Sequence, residues 1–163
     1  MGASTKHQLI VANLYRSIHS QCEEHSTVES IFSPFRVDLI DHAEGGYYSP
    51  EPDLIGITDF SNLKTASYHG APDFIVEVLS ETTKLTDLGP KLNEYQLNGV
   101  KEYWIIDQWS ETVYVYKYNE KETKYDDPIS YSNEESNTID IRVLLPKTIT
   151  VKVSDIFKFK VSC

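Results

Sequence analysis

Apolar and polar positions change period several times along this chain, and the most informative change lies in 74–107. Phe74, Ile75, Val76, Val78 and Leu79 form an apolar run broken only by Glu77. Such a run predicts a strand buried on both faces, in a parallel or central position. An unpaired, ionised carboxylate in that setting costs several kcal/mol or is driven neutral. A cation is therefore expected beside Glu77: a metal, a Lys or an Arg.

The pattern then turns helical. Leu88, Leu92 and Tyr95 make an apolar stripe. Asp87 is expected to cap this helix, with Pro90 in its first turn. Gly99 is expected to end it as a left-handed cap. Lys91 falls between Leu88 and Tyr95 at helical spacing, so its side chain points toward the sheet. A second apolar strand, 103–106, follows Val100 and closes at Asp107. Strand, helix, strand predicts a right-handed parallel crossover that lays Lys91 over a sheet containing Glu77.

Elsewhere the periods are shorter. Ile10, Val11, Leu14, Ile18 and Cys22 predict an opening helix over 5–24. Strands are expected at 28–32, at 35–40 after Pro34, and at 53–58, where Asp53, Ile55 and Ile57 share a face. The glycine- and proline-marked stretch 41–52 reads as loop, and 59–70 as a mobile loop with at most a turn of helix. After 107, the alternating segment 113–118 predicts an antiparallel strand at an exposed sheet edge. The polar 120–137 stretch shows no period and reads as loop or irregular hairpin. Strands are expected over 138–145 and 148–153, then a short helix capped by Ser154 or Asp155.

Composition narrows the class. The 163 residues, 40% apolar and 25% charged, suit one soluble domain over 1–163. No apolar run of membrane-spanning length and no apolar leader occur, so a cytoplasmic protein without membrane contact is expected. Met1-Gly2 gives little weight to lipidation. Cys22 and Cys163 cannot make a disulfide framework. His7, His19, His25, His42 and His69 lack zinc-like spacing and read as surface or loop residues. The net charge of −10 excludes broad non-specific affinity for nucleic acid, while leaving room for a nuclease whose own carboxylates contribute to the deficit.

PDFIVEVLS, then Asp87, Lys91, Tyr95, Gly99-Val100, Glu102-Tyr103-Trp104 and Asp107, closely resembles the Uma-two family of putative restriction endonucleases, in the PD-(D/E)XK nuclease superfamily. PEPDLIGIT, His7-Gln8 with Asn13-Leu14, and LPKTITVKVSDIF extend the resemblance over nearly the whole chain. It implies an α/β fold, a mixed sheet flanked by helices in a restriction-endonuclease-like core. It also implies Asp53, Glu77 and Lys91 as catalytic residues, with Asp53 and Glu77 as ligands of Mg²⁺ or Mn²⁺. The superfamily's Lys usually lies two residues after the Glu. Leu79 stands there, so Lys91 looks like a migrated equivalent delivered from the helix, in agreement with its inward position. The family's usual opening segment has no counterpart before the His7 helix, and the domain is expected to lack it.

DNA is then the expected substrate. Two other readings stay open: an inactive nuclease fold serving as a binding or dimerisation module, and a hydrolase of another phosphodiester. Residue types alone allow structural roles as well. Glu77 and Lys91 suit a buried ion pair as readily as a catalytic one. Asp53 suits a turn after Pro52. Asp73 lies roughly 13 Å from Glu77 along a strand and reads as an edge or turn residue. The tyrosine-rich edge strand supports a symmetric homodimer. The pair is expected to frame an open, hydrated metal site, so Lys91→Ala and Glu77→Gln are both expected to melt near wild type without metal.

Overall fold

A computed structural model describes residues 4–23, 27–80, 85–144, 146 and 148–159, the side chains of 85–88 excepted. The expectations for Met1-Gly2, His25, Cys163 and the Asp87 and Leu88 side chains lie outside the described residues. A mixed sheet runs β1 (Glu29–Phe32), β4 (Leu54–Ile57), β6 (Phe74–Val78), β7 (Glu102–Asp107), β8 (Thr112–Asn119), β10 (Ile129–Ser132), with β9 (Lys124–Tyr125) also on β8. Within this sheet, among the described residues, only β6 and β7 pair in parallel, and the helix α2 (Leu85–Leu97) connects them. The other pairings in this sheet are antiparallel.

Two layers cover the sheet because its central strands are apolar on both faces. All five residues of β6 are buried. On one face, Leu54, Phe74, Val76, Val78, Trp104 and Ile106 pack against α1 (Thr5–Cys22), the hairpin β11 (Thr138–Ile141) and β12 (Ile149–Lys152), and α3 (Val153–Ile156). On the other, Ile55, Ile57, Ile75, Leu79, Tyr103 and Ile105 pack against α2 and a small sheet, β3 (Tyr47–Tyr48), β2 (Arg36–Ile40), β5 (Ser67–His69). The α1 stripe Ile10, Leu14, Ile18 is at most 1% exposed, as its period predicts. Gly99 has φ 75°, and the Val100 N–H reaches Tyr95 O at 3.0 Å, so α2 ends in the expected left-handed cap.

The structure corrects several expectations. Helix α2 starts at Leu85, so Asp87 lies inside it rather than capping it, and Pro90 is an interior residue. Stretches read as loop contain β3 and β5, held by pairing to β2 rather than by apolar alternation. The 120–137 stretch supplies β9 and β10, and these pair with β8 over 112–115 and 118–119. Strand β8 is therefore internal, and the exposed-edge argument for a homodimer falls away. Helix α3 begins at Val153 with no side-chain cap, so neither Ser154 nor Asp155 caps it. No described helix is long and apolar enough to cross a membrane.

Gly56, in β4, makes a close approach possible. A Cβ there would meet Leu144 Cδ1 at 2.9 Å and Phe74 Cβ at 3.3 Å. Overpacking of this kind costs about 1–3 kcal/mol, so Gly56→Val should melt well below wild type. Gly56→Ala should lose less, because the tip of Leu144 can turn away. Thermal melts of the two variants check the order.

Candidate active site

The site forms where β6 ends and two helices approach from opposite layers. Strand β6 carries Glu77 on the α2 side, where it is 7% exposed. Lys91 Nζ lies 2.7 Å from Glu77 Oε1, and the Tyr95 hydroxyl donates to the same oxygen at 2.8 Å. Lys91 and Tyr95 are four residues apart on α2, so both reach one atom. Burial pushes the Glu77 carboxyl above the usual range, Lys91 pulls it back, and the charge of Asp53 adds to the rise. The Tyr48 phenol is pushed up to about 12, by burial first and then by Glu77 and Glu94, which places β3 within electrostatic reach of the site.

Asp53 immediately precedes β4. Leu54 pairs with Val76, and one further step in that antiparallel register sets Asp53 across from Glu77. Asp53 Oδ2 accepts the Val78 N–H at 2.7 Å and lies 3.3 Å from His7 Nε2. The position stands outside the strand, so alternation does not direct its side chain. The Asp53 carboxylate reaches round the sheet end to α1, while Glu77 turns to α2. The structure thus joins Glu77 and Lys91 directly and brings Asp53 beside them, with its own hydrogen bonds made elsewhere.

His7 was expected at the surface, yet it is 6% exposed. Its hydrogen bond to Asp53 raises the imidazole pKa, against burial, with the charges of Asp53 and Glu77 adding to the rise. Around it runs a polar circuit. Ser4 caps α1 by accepting the His7 N–H at 3.2 Å, and its hydroxyl donates to Gln108 Oε1 at 3.1 Å. Gln108 Nε2 donates in turn to Leu79 O. His42 and His69 are exposed, as expected, and His19 is half-buried.

Asp73 sits at the opposite end of β6. It accepts from Thr58 N and Oγ1 at 2.8 Å each and from Lys101 Nζ at 2.6 Å. These partners tie the start of β6 to the end of β4 and to the residue before β7, a structural role. The sequence reasoning missed three site residues: His7, Tyr95 as a donor, and Gln108. Tyr95 left a signal, since its phenol shares a helical face with Lys91, and His7 left one in the His7-Gln8 pair of the family resemblance; Gln108 left none. The expectation of an open, hydrated pair is also not met, because Glu77 is closed in by Lys91 and Tyr95.

Among the described residues, no three of His, Cys, Asp and Glu gather into a closed metal cage. A Mg²⁺-type ion needs none, since it takes one or two carboxylates and keeps its remaining waters. Asp53 and Glu77, opposite each other in register on adjacent strands, are the carboxylates available to such an ion, Asp53 turned to His7 and Glu77 held by Lys91 and Tyr95.

A family model described as Uma2, Putative restriction endonuclease, matches residues 1–154. A solved structure titled as a putative nuclease belonging to DUF820, from Anabaena variabilis ATCC 29413, is similar with a TM-score of 0.74 at 18% identity, over 94% of this chain and 81% of that one. No curated protein matches the chain. The structural likeness establishes a restriction-endonuclease-like fold. With the family model spanning nearly its full length, the chain belongs to the Uma2 family of putative restriction endonucleases.

Proposed function

We propose that this chain is a metal-dependent endonuclease that hydrolyses DNA phosphodiester bonds, with Asp53, Glu77 and Lys91 as its catalytic set. The observation that carries this reading is the 2.7 Å contact between Lys91 and Glu77, with Asp53 beside it, at the end of central strands in a nuclease-family fold. Asp53 and Glu77 would hold Mg²⁺ or Mn²⁺. When bound, such an ion polarises the phosphate and lowers the pKa of a coordinated water. The protein's own groups supply the rest. Tyr95 fixes the Glu77 carboxylate. Lys91, with 26% of its side chain exposed, offers an ammonium to charge developing on the phosphate or orients the attacking water.

The same closed contact also suits a structural ion pair in an inactive binding module. Cleavage separates the two readings. Plasmid and single-stranded DNA should be cut in Mg²⁺ or Mn²⁺, not in chelator, and not by Glu77→Ala. Absence of metal-dependent cleavage on DNA, with cleavage of RNA or a nucleotide diester instead, would transfer the proposal to that substrate. Absence on all of them would leave the structural module. Metal should also raise the melting temperature of wild type by mass action, and should not do so for Glu77→Gln.

A further inference from the structure

Two donors converge on a single oxygen of Asp53. The Val78 N–H comes from the strand that carries Glu77, at 2.7 Å. The other, His7 Nε2, comes from the first turn of α1, at 3.3 Å. A carboxylate held by two donors on one oxygen loses its freedom to rotate. His7 is itself held: its backbone N–H bonds to Ser4, Ser4 bonds to Gln108, and Gln108 bonds to the Leu79 carbonyl. Leu79 N in turn donates to Ile106 O at 2.9 Å. The circuit therefore starts and ends on the residues just after Glu77, and it passes through α1, the end of β7 and the approach to β4.

We infer that His7 is a positioning residue for Asp53, locked in place by the Ser4–Gln108–Leu79 circuit. This rests on the reading of Asp53 as a metal ligand. The physical reason is that Asp53 lies outside the strand ladder, so backbone pairing does not fix its side chain. The hydrogen bond from α1 does, and it couples the seating of that helix to the geometry of the site. Outer hydrogen-bond partners of metal ligands are worth about 10–100-fold in metal affinity.

The test is Mn²⁺ binding by calorimetry, with circular dichroism to confirm folding and no substrate present. His7→Leu fills the space and removes the donor, so it should bind Mn²⁺ about 10–100-fold more weakly. His7→Gln places an amide N–H where Nε2 stood and should recover part of the loss, which a purely space-filling role would not predict. Ser4→Ala leaves the imidazole intact and cuts the circuit; it should show a smaller weakening in the same direction, and it carries the test if His7→Leu does not fold. Wild-type affinity in folded His7→Leu, or in folded Ser4→Ala where His7→Leu does not fold, overturns this inference alone. Equal loss in the Leu and Gln variants also overturns it. A wild type that takes no Mn²⁺ overturns the metal reading of Asp53, and this inference with it.

Discussion

Lys91→Ala should destabilise the metal-free protein by about 3–5 kcal/mol at neutral pH, the usual cost of leaving a buried charge without its partner. Glu77 is 7% exposed and Lys91 is its cationic partner, at 2.7 Å. The loss should depend on pH in a defined direction. Burial raises the folded-state pKa of Glu77, and Lys91 counters it, so removing Lys91 raises it further. A carboxyl raised in the fold adds stability below its unfolded value, about 4.3, and loses it as pH rises through the folded value. The gap between Lys91→Ala and wild type should therefore narrow toward ~pH 4 and widen toward neutrality. Glu77→Gln removes the buried charge and should melt at or above wild type at pH 7. Urea titrations at pH 4 and 7 check this, and a pH-independent gap would rule out the electrostatic account. Activity should fall about 10²–10³-fold in Lys91→Ala, as when a transition-state donor is removed. Metal should recover part of the stability by neutralising Glu77.

Trp104→Ala should be as damaging to the scaffold. Trp104 is fully buried on the α1 side and meets Phe74 edge-to-face at 5.1 Å between ring centroids. Truncating such a ring costs about 3–5 kcal/mol through lost burial and the cavity left behind. A second loss adds to it. The indole N–H donates at 2.8 Å to Glu102, which is 1% exposed. Burial raises the Glu102 carboxyl, and this hydrogen bond and Lys117 pull it down. Without the indole a buried carboxylate loses its donor, worth about 1–3 kcal/mol. Roughly 2–4 °C per kcal/mol then implies a drop in melting temperature of about 10–30 °C. Trp104→Phe should fall between, since it keeps most of the volume and loses the donor. Equal melting of the Phe variant and wild type would show that the Glu102 contact carries little.

What the sequence revealed follows from how local each signal is. A lone Glu in a buried apolar run, and a Lys at helical spacing between Leu88 and Tyr95, are visible within fifteen residues, and the structure joins them. The α1 stripe and the left-handed Gly99 are equally local. His7 and Asp53, by contrast, meet across 46 residues, and Ser4 and Gln108 across 104. No period or spacing records such pairs. Strand β10 was missed for a related reason. Its residues are mostly exposed, and only pairing with β8 makes it a strand. Once β10 is placed, the tyrosines of β8 become internal packing residues rather than a dimer edge. The helix start erred because Asp87 and Pro90 resemble a cap and first turn, although the helix already runs from Leu85.

Helix α1 is closed by residues 129 to 145 positions further along the chain. Asn13 donates to the carbonyls of Ile156 and Lys158 at 3.2 and 2.8 Å, and Gln21 exchanges two hydrogen bonds with Thr150 at 3.0 and 3.1 Å. Ile10, Leu14 and Ile18 share their cluster with Ile149, Val151 and Ile156. During synthesis this greasy stripe must wait for that many further residues before its partners emerge. At about 5–20 residues per second, the delay from α1 to β12 is several seconds or more. Contacts of such long sequence separation also slow refolding in vitro. The nascent chain is thus most prone to chaperone capture or aggregation in that interval. Polar substitutions at Ile149 or Val151 should prolong that exposure and lower soluble yield more than their effect on the finished fold.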